Sequence, residues 1–261
     1  NKVLGIGVAL HGIVNAKTGV SKYAPYYGWK DLNVKERLEE QLGYPVYIDN
    51  DVRAMALGES SFGITKDISN FITINISNGI GAGIIINNSP YYGVDFSAGE
   101  IGHIVVEPDG DKCNCGNYGC LETVASNNSI LRRVIKLIKQ GANTSLEYED
   151  INDITIQDIC NSAAQGDELC IATLKEAARY IGLAITNLIN ILNPTAIVVV
   201  GEIFNNTYHT IEELDSIVKK MALKLPTENV KIIKSVLGNN AAVVGAATLV
   251  IREVFNGTNI K

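Results

Sequence analysis

Apolar positions along the chain fall into two alternating kinds of segment. Short β-branched runs bounded by Gly or Asn predict strands near 3–10, 45–48, 70–76, 81–86, 196–200 and 230–235. Longer segments with apolar residues at helical spacing predict helices near 34–42, 51–61, 120–140, 155–165, 168–192, 209–223 and 241–255. Strands alternating with helices indicate an α/β protein with crossover connections, not a sandwich. The long helix reaches Leu192 and meets Asn193-Pro194, where the proline stops it. Val198-Val199-Val200-Gly201 then reads as a fully buried parallel strand ending on a turn. The polar stretch from Gln140 to Asp153 reads as a loop.

Composition narrows the class. A chain of 261 residues that is 46% hydrophobic can bury a large core in one or two domains. No apolar run reaches the roughly 18 residues that a membrane span needs, and no signal-peptide pattern opens the chain, so a cytoplasmic protein is expected. The net charge of −6 and the lack of any Lys/Arg-rich stretch argue against direct contact with nucleic acid. The chain starts on Asn1 without Met and runs straight into Val3–Leu10, which is expected of a fragment.

Three of the five cysteines lie within eight residues, as Cys113, Cys115 and Cys120, and His103 precedes them in the pattern H-x9-C-x-C-x4-C. Thiolates and an imidazole are the donors that a tetrahedral zinc site uses, and Gly110, Gly116 and Gly119 permit the tight turns that would aim them at one centre. The alternatives are a disulfide or plain buried thiols. A cytoplasmic chain keeps thiols reduced, and a Cys113–Cys115 bridge would be strained, so the spacing favours a metal. Four protein ligands leave no position for water, which makes the metal structural rather than catalytic. Cys160 and Cys170 fall on apolar helical faces and read as core.

The stretch Ala98-Gly99-Glu100-Ile101-Gly102-His103, followed by CNCGNYGCLET, closely resembles the signature of the ROK family of repressors, open reading frames and sugar kinases. Further matches are APYYGW at 24–29, IDNDVRAMALGE at 48–59, GIGAGIII at 79–86, VVVG at 198–201 and GNNAAVVGAA at 238–247. The resemblance implies an actin-like, hexokinase-like (ribonuclease H-like) fold with sugar between two α/β lobes and zinc bracing the sugar-side loop. It divides the chain into the rest of an N-terminal lobe (1–70), a C-terminal lobe (71–241, zinc loop 100–123) and a terminal helix (242–261) returning to the first lobe. It also implies that Asn50 and Asp51 hydrogen-bond sugar hydroxyls, with Asp51 the general base in kinase members. Glu100, His103 and Glu122 are the remaining implied sugar ligands, His103 using its second ring nitrogen. Convergent acceptors suit a polyol, and a base must reach the hydroxyl it activates. Without the resemblance, Asp51 reads equally well as a helix N-cap, and Glu100 and Glu122 as solvated carboxylates.

Kinases of the family hold ATP and Mg2+ with an Asp-x-Gly-x-Thr loop, a Thr-Gly-x-Gly loop and a late Gly-Gly pair. Here no Asp-x-Gly-x-Thr precedes the sugar motifs, the second loop reads Ser77-Asn78-Gly79-Ile80-Gly81, and the late pair reads Gly201-Glu202. Glu202 is a poor neighbour for phosphate. The expected function is therefore the sugar-sensing domain of a ROK transcriptional regulator, responding to a monosaccharide or N-acetyl sugar. DNA is then reached only through a helix-turn-helix domain outside this chain, and a homodimer or homotetramer is expected. The alternative is a sugar kinase in which Gly79, Gly81 and Gly83 still admit phosphate. His11 and His209 are unassigned, and Tyr26 stands where kinases usually carry Asn.

Overall fold

The computed structural model describes residues 3–205, 208–227 and 230–256. Its strands are β1 (Ile6–Leu10), β2 (Ile13–Asn15), β3 (Val20–Ala24), β4 (Trp29–Asn33), β5 (Val46–Asn50), β6 (Phe71–Ile76), β7 (Ile80–Ile86), β8 (Ser89–Pro90), β9 (Ala196–Val200) and β10 (Lys231–Lys234). Its helices are α1 (Val34–Leu42), α2 (Asp51–Phe62), α3 (Leu121–Ala125), α4 (Asn127–Lys139), α5 (Ile156–Ala164), α6 (Glu168–Leu192), α7 (Tyr208–Met221), α8 (Lys224–Thr227) and α9 (Ala241–Asn256). The chain forms two compact units, one of Asn1–Thr73, Ala82–Gly99 and Ser235–Lys261, the other of Ile74–Gly81 and Glu100–Lys234. The expected terminal segment 242–261 includes residues 257–261, which lie outside the described residues.

In the first unit β1 and β5 pair in parallel, Ile6 opposite Val46 and Leu10 opposite Asn50. Val14, Val34, Val46 and Ile48 form a buried cluster against Ile6, Val8, Leu10, Trp29, Leu32 and Leu38. Each such fully buried aliphatic side chain contributes about 1.5–3 kcal/mol by leaving water. Helix α9 lies so close that a Cβ on Gly7 would fall 1.8 Å from the Ala246 carbonyl oxygen, and one on Gly245 would fall 1.9 Å from that of Ala54. Arg53 ties this unit together: its Nε donates to Asp49 Oδ1 at 2.8 Å, and its two terminal nitrogens donate to the carbonyls of Phe96 and Val14, each at 2.8 Å. Both ends of the ion pair are buried, with side-chain exposures of 2% and 0%.

The antiparallel sheet β2-β3-β4 was not anticipated from the pattern. Its strands are short and half-polar, and β3, VSKYA, lacks both a continuous apolar run and a clean alternation. Asn15 makes the β2–β3 turn, its Oδ1 accepting from the backbone of Lys17 and Thr18.

In the second unit β9 is buried along all five residues, as its apolar run predicts, and β10 pairs with it in parallel. Asp167 caps α6, accepting from Cys170 N, and Asn193 ends it in the left-handed conformation just before Pro194. The single helix predicted over 120–140 is corrected to two: Ser126 is extended and caps α4 by accepting from Ser129 N, so the helix breaks there. Serine's preference for bonding a free backbone N–H outweighs the continuous apolar periodicity at that point. No helix among the described residues is long and apolar enough to cross a membrane.

Candidate functional site

The cysteine loop is built as a tight hairpin. Val105 bridges Cys120 and Lys112 bridges Tyr118, while Val106 N and Glu107 N both donate to the Gly119 carbonyl. Gly119 has φ +64, and a Cβ there would fall 1.5 Å from the Glu107 carbonyl oxygen, so only glycine closes the hairpin. Inside it, Cys113 N donates to Asn117 O at 2.7 Å and Gly116 N to Cys113 O at 3.0 Å. This brings one ligand atom each of His103, Cys113, Cys115 and Cys120 within 4.8 Å of one another. Nδ1 of His103 lies 3.6 Å from Cys113 Sγ, and the sulfurs of Cys115 and Cys120 are 3.7 Å apart, too far for a disulfide.

The chemistry of this donor set fits a cation. Burial, then the neighbouring sulfurs, pushes the Cys120 thiol up to about 12, and burial raises Cys113 as well. The Asn117 N–H lowers Cys115. Three sulfurs so close cannot all ionise unless a positive ion balances them, which is what a soft divalent metal does.

The residues expected to hold sugar fall in both units. In the first, Asn50 and Asp51 sit where β5 turns into α2. Asn50, not Asp51, caps the helix, its Oδ1 accepting from Val52 N and Arg53 N, while its Nδ2 donates to Gly12 O at 3.0 Å. Asp51 is left in the first turn, its Oδ1 accepting from Val52 N at 2.9 Å. Burial pushes its carboxyl up, opposed by the Val52 N–H and by the charge of His11. His11, which the sequence left unassigned, is thus a neighbour of Asp51. The one signal that could have found it is its place at the end of β1, the strand paired with β5. The side chain of His209 lies outside the described residues.

In the second unit Nε2 of His103 faces Glu100 Oε2 at 3.9 Å, leaving Nδ1 toward the sulfurs. Glu122 follows Cys120 directly, and its Oε2 accepts from Ile80 N at 3.2 Å, tying the cysteine loop to the Gly79–Gly81 turn. Gly79 lies in the turn itself, and Gly81 is already the second residue of β7. Gly83 lies further along β7, where a Cβ would fall 2.5 Å from the Val52 carbonyl oxygen and 2.7 Å from Ala56 Cβ, so helix packing requires it to be glycine.

At the end of β9, Gly201 has φ +142, and a Cβ there would fall 2.1 Å from the Ile76 carbonyl oxygen. The next carboxylate, Glu202, accepts from Asn127 Nδ2 at 3.0 Å. Asn127 is 4% exposed and also donates its backbone N–H to Ser77 O at 2.8 Å. The sequence did not single out Asn127, because it lay inside the helix assumed to be continuous.

The α/β fold with its Cys/His cluster is of the actin- and hexokinase-like class that sugar kinases share. Within that class the chain belongs to the ROK family, whose model matches residues 1–253. It is 36% identical over 256 residues to the DNA-binding transcriptional dual regulator NagC of Escherichia coli K12, covering 98% of this chain and 62% of that protein. The chain therefore spans about 62% of the length of that curated relative. Among solved structures, a ROK family transcriptional regulator homologous to E. coli MLC superposes with a TM-score of 0.89 at 35% identity, over 96% of this chain and 63% of that one. A ROK family glucokinase from Streptomyces griseus, in complex with glucose and AMPPNP, gives 0.88 at 29% identity, over 95% and 82%.

Proposed function

We propose that this chain is the sugar-sensing part of a ROK transcriptional regulator. The observation that carries the reading is the Asn127–Glu202 hydrogen bond, which fixes a carboxylate at the carboxyl end of β9. Ligands of open α/β sheets bind at the carboxyl ends of strands, and a fixed negative charge there repels nucleotide phosphates. Asn50, Asp51, Glu100, His103 and Glu122 are the proposed sugar contacts, and the effector is a monosaccharide or N-acetyl sugar. His103, Cys113, Cys115 and Cys120 would hold a structural Zn2+, which supplies a fixed charge that keeps the loop folded and His103 oriented. Effector binding acts by differential affinity for two arrangements of the intact protein, which we take to be a cytoplasmic homodimer or homotetramer. The acidic chain offers no basic stretch, so in this reading DNA is contacted outside residues 1–261.

The intact turn at Gly79–Gly81 favours a second reading, an ATP- and Mg2+-dependent sugar kinase with Asp51 as base. A coupled assay with ATP and a panel of hexoses, pentoses and N-acetyl sugars, run beside calorimetric titration of the same sugars, separates the two. Binding without turnover supports the sensor. Turnover at ordinary enzyme rates overturns it.

A further inference from the structure

The first unit contains a cavity of about 470 Å³ beside β5, lined in part by Lys17, Lys35, Asp49, Tyr92, Arg252 and Glu253. None of these is among the proposed sugar or metal contacts. We propose that this cavity is a second ligand site, for a small anion that also carries a hydroxyl group.

The charge of the lining calls for an anion. In a chain with a net charge of −6, three cationic side chains from three separate elements meet here, the β2–β3 turn, α1 and α9, against the carboxylates of Asp49 and Glu253. Asp49 is already matched by Arg53, so Glu253 is the remaining opposing charge in the lining. Lys35 is held in place: its stem packs on Gly19, and its ammonium lies 5.8 Å from the centre of the Tyr47 ring. Its contact with Glu39, outside the lining, is a loose 3.9 Å pair with both side chains about a third exposed (35% and 36%), and such a surface pair holds its partners weakly. Mobile lysines on a convex surface would not favour one anion, whereas cations facing a concavity concentrate their field in it.

The floor calls for a donor on the ligand. Asp49 is fully buried; its Oδ1 accepts from Arg53 Nε and Asn50 N, and the hydroxyl of Tyr92 faces its carboxylate. Tyr92 stands beside it, with its ring 5.3 Å from the Arg53 guanidinium carbon. Burial and then the Asp49 charge push its phenol up to about 12, so the hydroxyl stays protonated with its proton directed at Asp49, and its oxygen is left to accept from a ligand. A ligand with its anionic end among Lys17, Lys35 and Arg252 and a hydroxyl donating to the Tyr92 oxygen satisfies both halves of the lining. Phosphate esters and hydroxy-carboxylates share this chemistry.

The test is a calorimetric and thermal-shift titration of the full chain with glycerol 3-phosphate, L-lactate, inorganic phosphate, glycerol and sodium chloride, at constant ionic strength. Saturable binding of glycerol 3-phosphate or of lactate is expected, whichever binds identifying the anionic group, with glycerol and chloride giving none. The double variant Lys17→Ala/Arg252→Ala should weaken that binding about tenfold or more, because charge-assisted hydrogen bonds are the stronger kind. Tyr92→Phe should narrow the preference for the hydroxylated ligand over inorganic phosphate. Asp51→Asn, at the proposed sugar contacts, should leave the binding unchanged, which keeps this inference separable from the proposed function. Equal stabilisation by every anion tested, chloride included, inorganic phosphate binding as tightly as its glycerol ester, or equal affinity in the double variant overturns the proposal.

Discussion

Nδ1 of His103 lies 3.6 Å from the sulfur of Cys113, while its other ring nitrogen faces Glu100 at 3.9 Å. One imidazole thus joins the cysteine cluster to the carboxylate expected to hold sugar, and loss of the cluster should be felt at Glu100. Metal analysis of Cys115→Ser is expected to fall from about one zinc per chain to well below one, with a lower Tm and weaker sugar binding. A Cys115→Ser protein that folds, melts and binds sugar as the parent does would refute the metal brace.

Gly119→Ala is expected to damage the same loop without removing a ligand. The left-handed φ costs about 1–2 kcal/mol for a residue with a Cβ, and the approach of the Glu107 carbonyl leaves no room for one. Urea denaturation should show a loss of at least that size together with reduced metal content. Unchanged stability would mean that the hairpin tolerates another closure.

Arg53→Met should be among the most damaging single changes in the first unit. It strips a buried carboxylate of its ion pair and frees two buried carbonyls, and breaking such a pair from one side costs about 3–5 kcal/mol. The change should appear as a large drop in the denaturation midpoint. A loss below about 1 kcal/mol would show that the network contributes little.

Asp167 gives the acid limb of the stability curve. Burial alone would raise its carboxyl, but the Cys170 N–H, Thr144 and the Ser145 N–H outweigh it and hold the group below the usual carboxylate range. A folded-state value below the unfolded one contributes stability above about pH 4 that is lost as pH falls through the folded value. Asp167→Ala is expected to cost about 1–3 kcal/mol at pH 7, and the gap from the parent should shrink below pH 4. A gap constant from pH 7 to pH 3 would remove the carboxylate's charge from the explanation.

Glu202→Gly tests the reading of the β9 turn. Releasing Asn127 and removing the carboxylate should allow a fluorescent ATP analogue to bind where the parent shows none, more so in combination with Asn78→Thr. Binding of the analogue by the parent with ordinary kinase affinity would contradict the proposed role of Glu202.

The Cys/His tetrad, the stop of α6 at Asn193-Pro194 and the buried β9 run were legible in the sequence because each depends on neighbours within a few residues. Hydrophobic period, a proline without an N–H and ligands each ten or fewer positions from the next are local facts, and local facts survive in a linear string. The split of α3 from α4 was equally local, yet periodicity concealed it. Ser126 gave the cue, and a cap residue inside an apolar repeat should be weighed as a break.

Which distant groups meet is a property of the folded chain alone. Arg53 selects carbonyls 39 and 43 positions away, Glu202 finds Asn127 across 75 positions, and His11 comes beside Asp51 through the pairing of β1 with β5. None of these choices has a period or a spacing, because chain reversal brings together residues whose separation along the sequence carries no chemical meaning. From the sequence came most of the helices and strands and the grouping of His103 with Cys113, Cys115 and Cys120. The fold determined the partner of each buried charge, and with it the cavity beside β5.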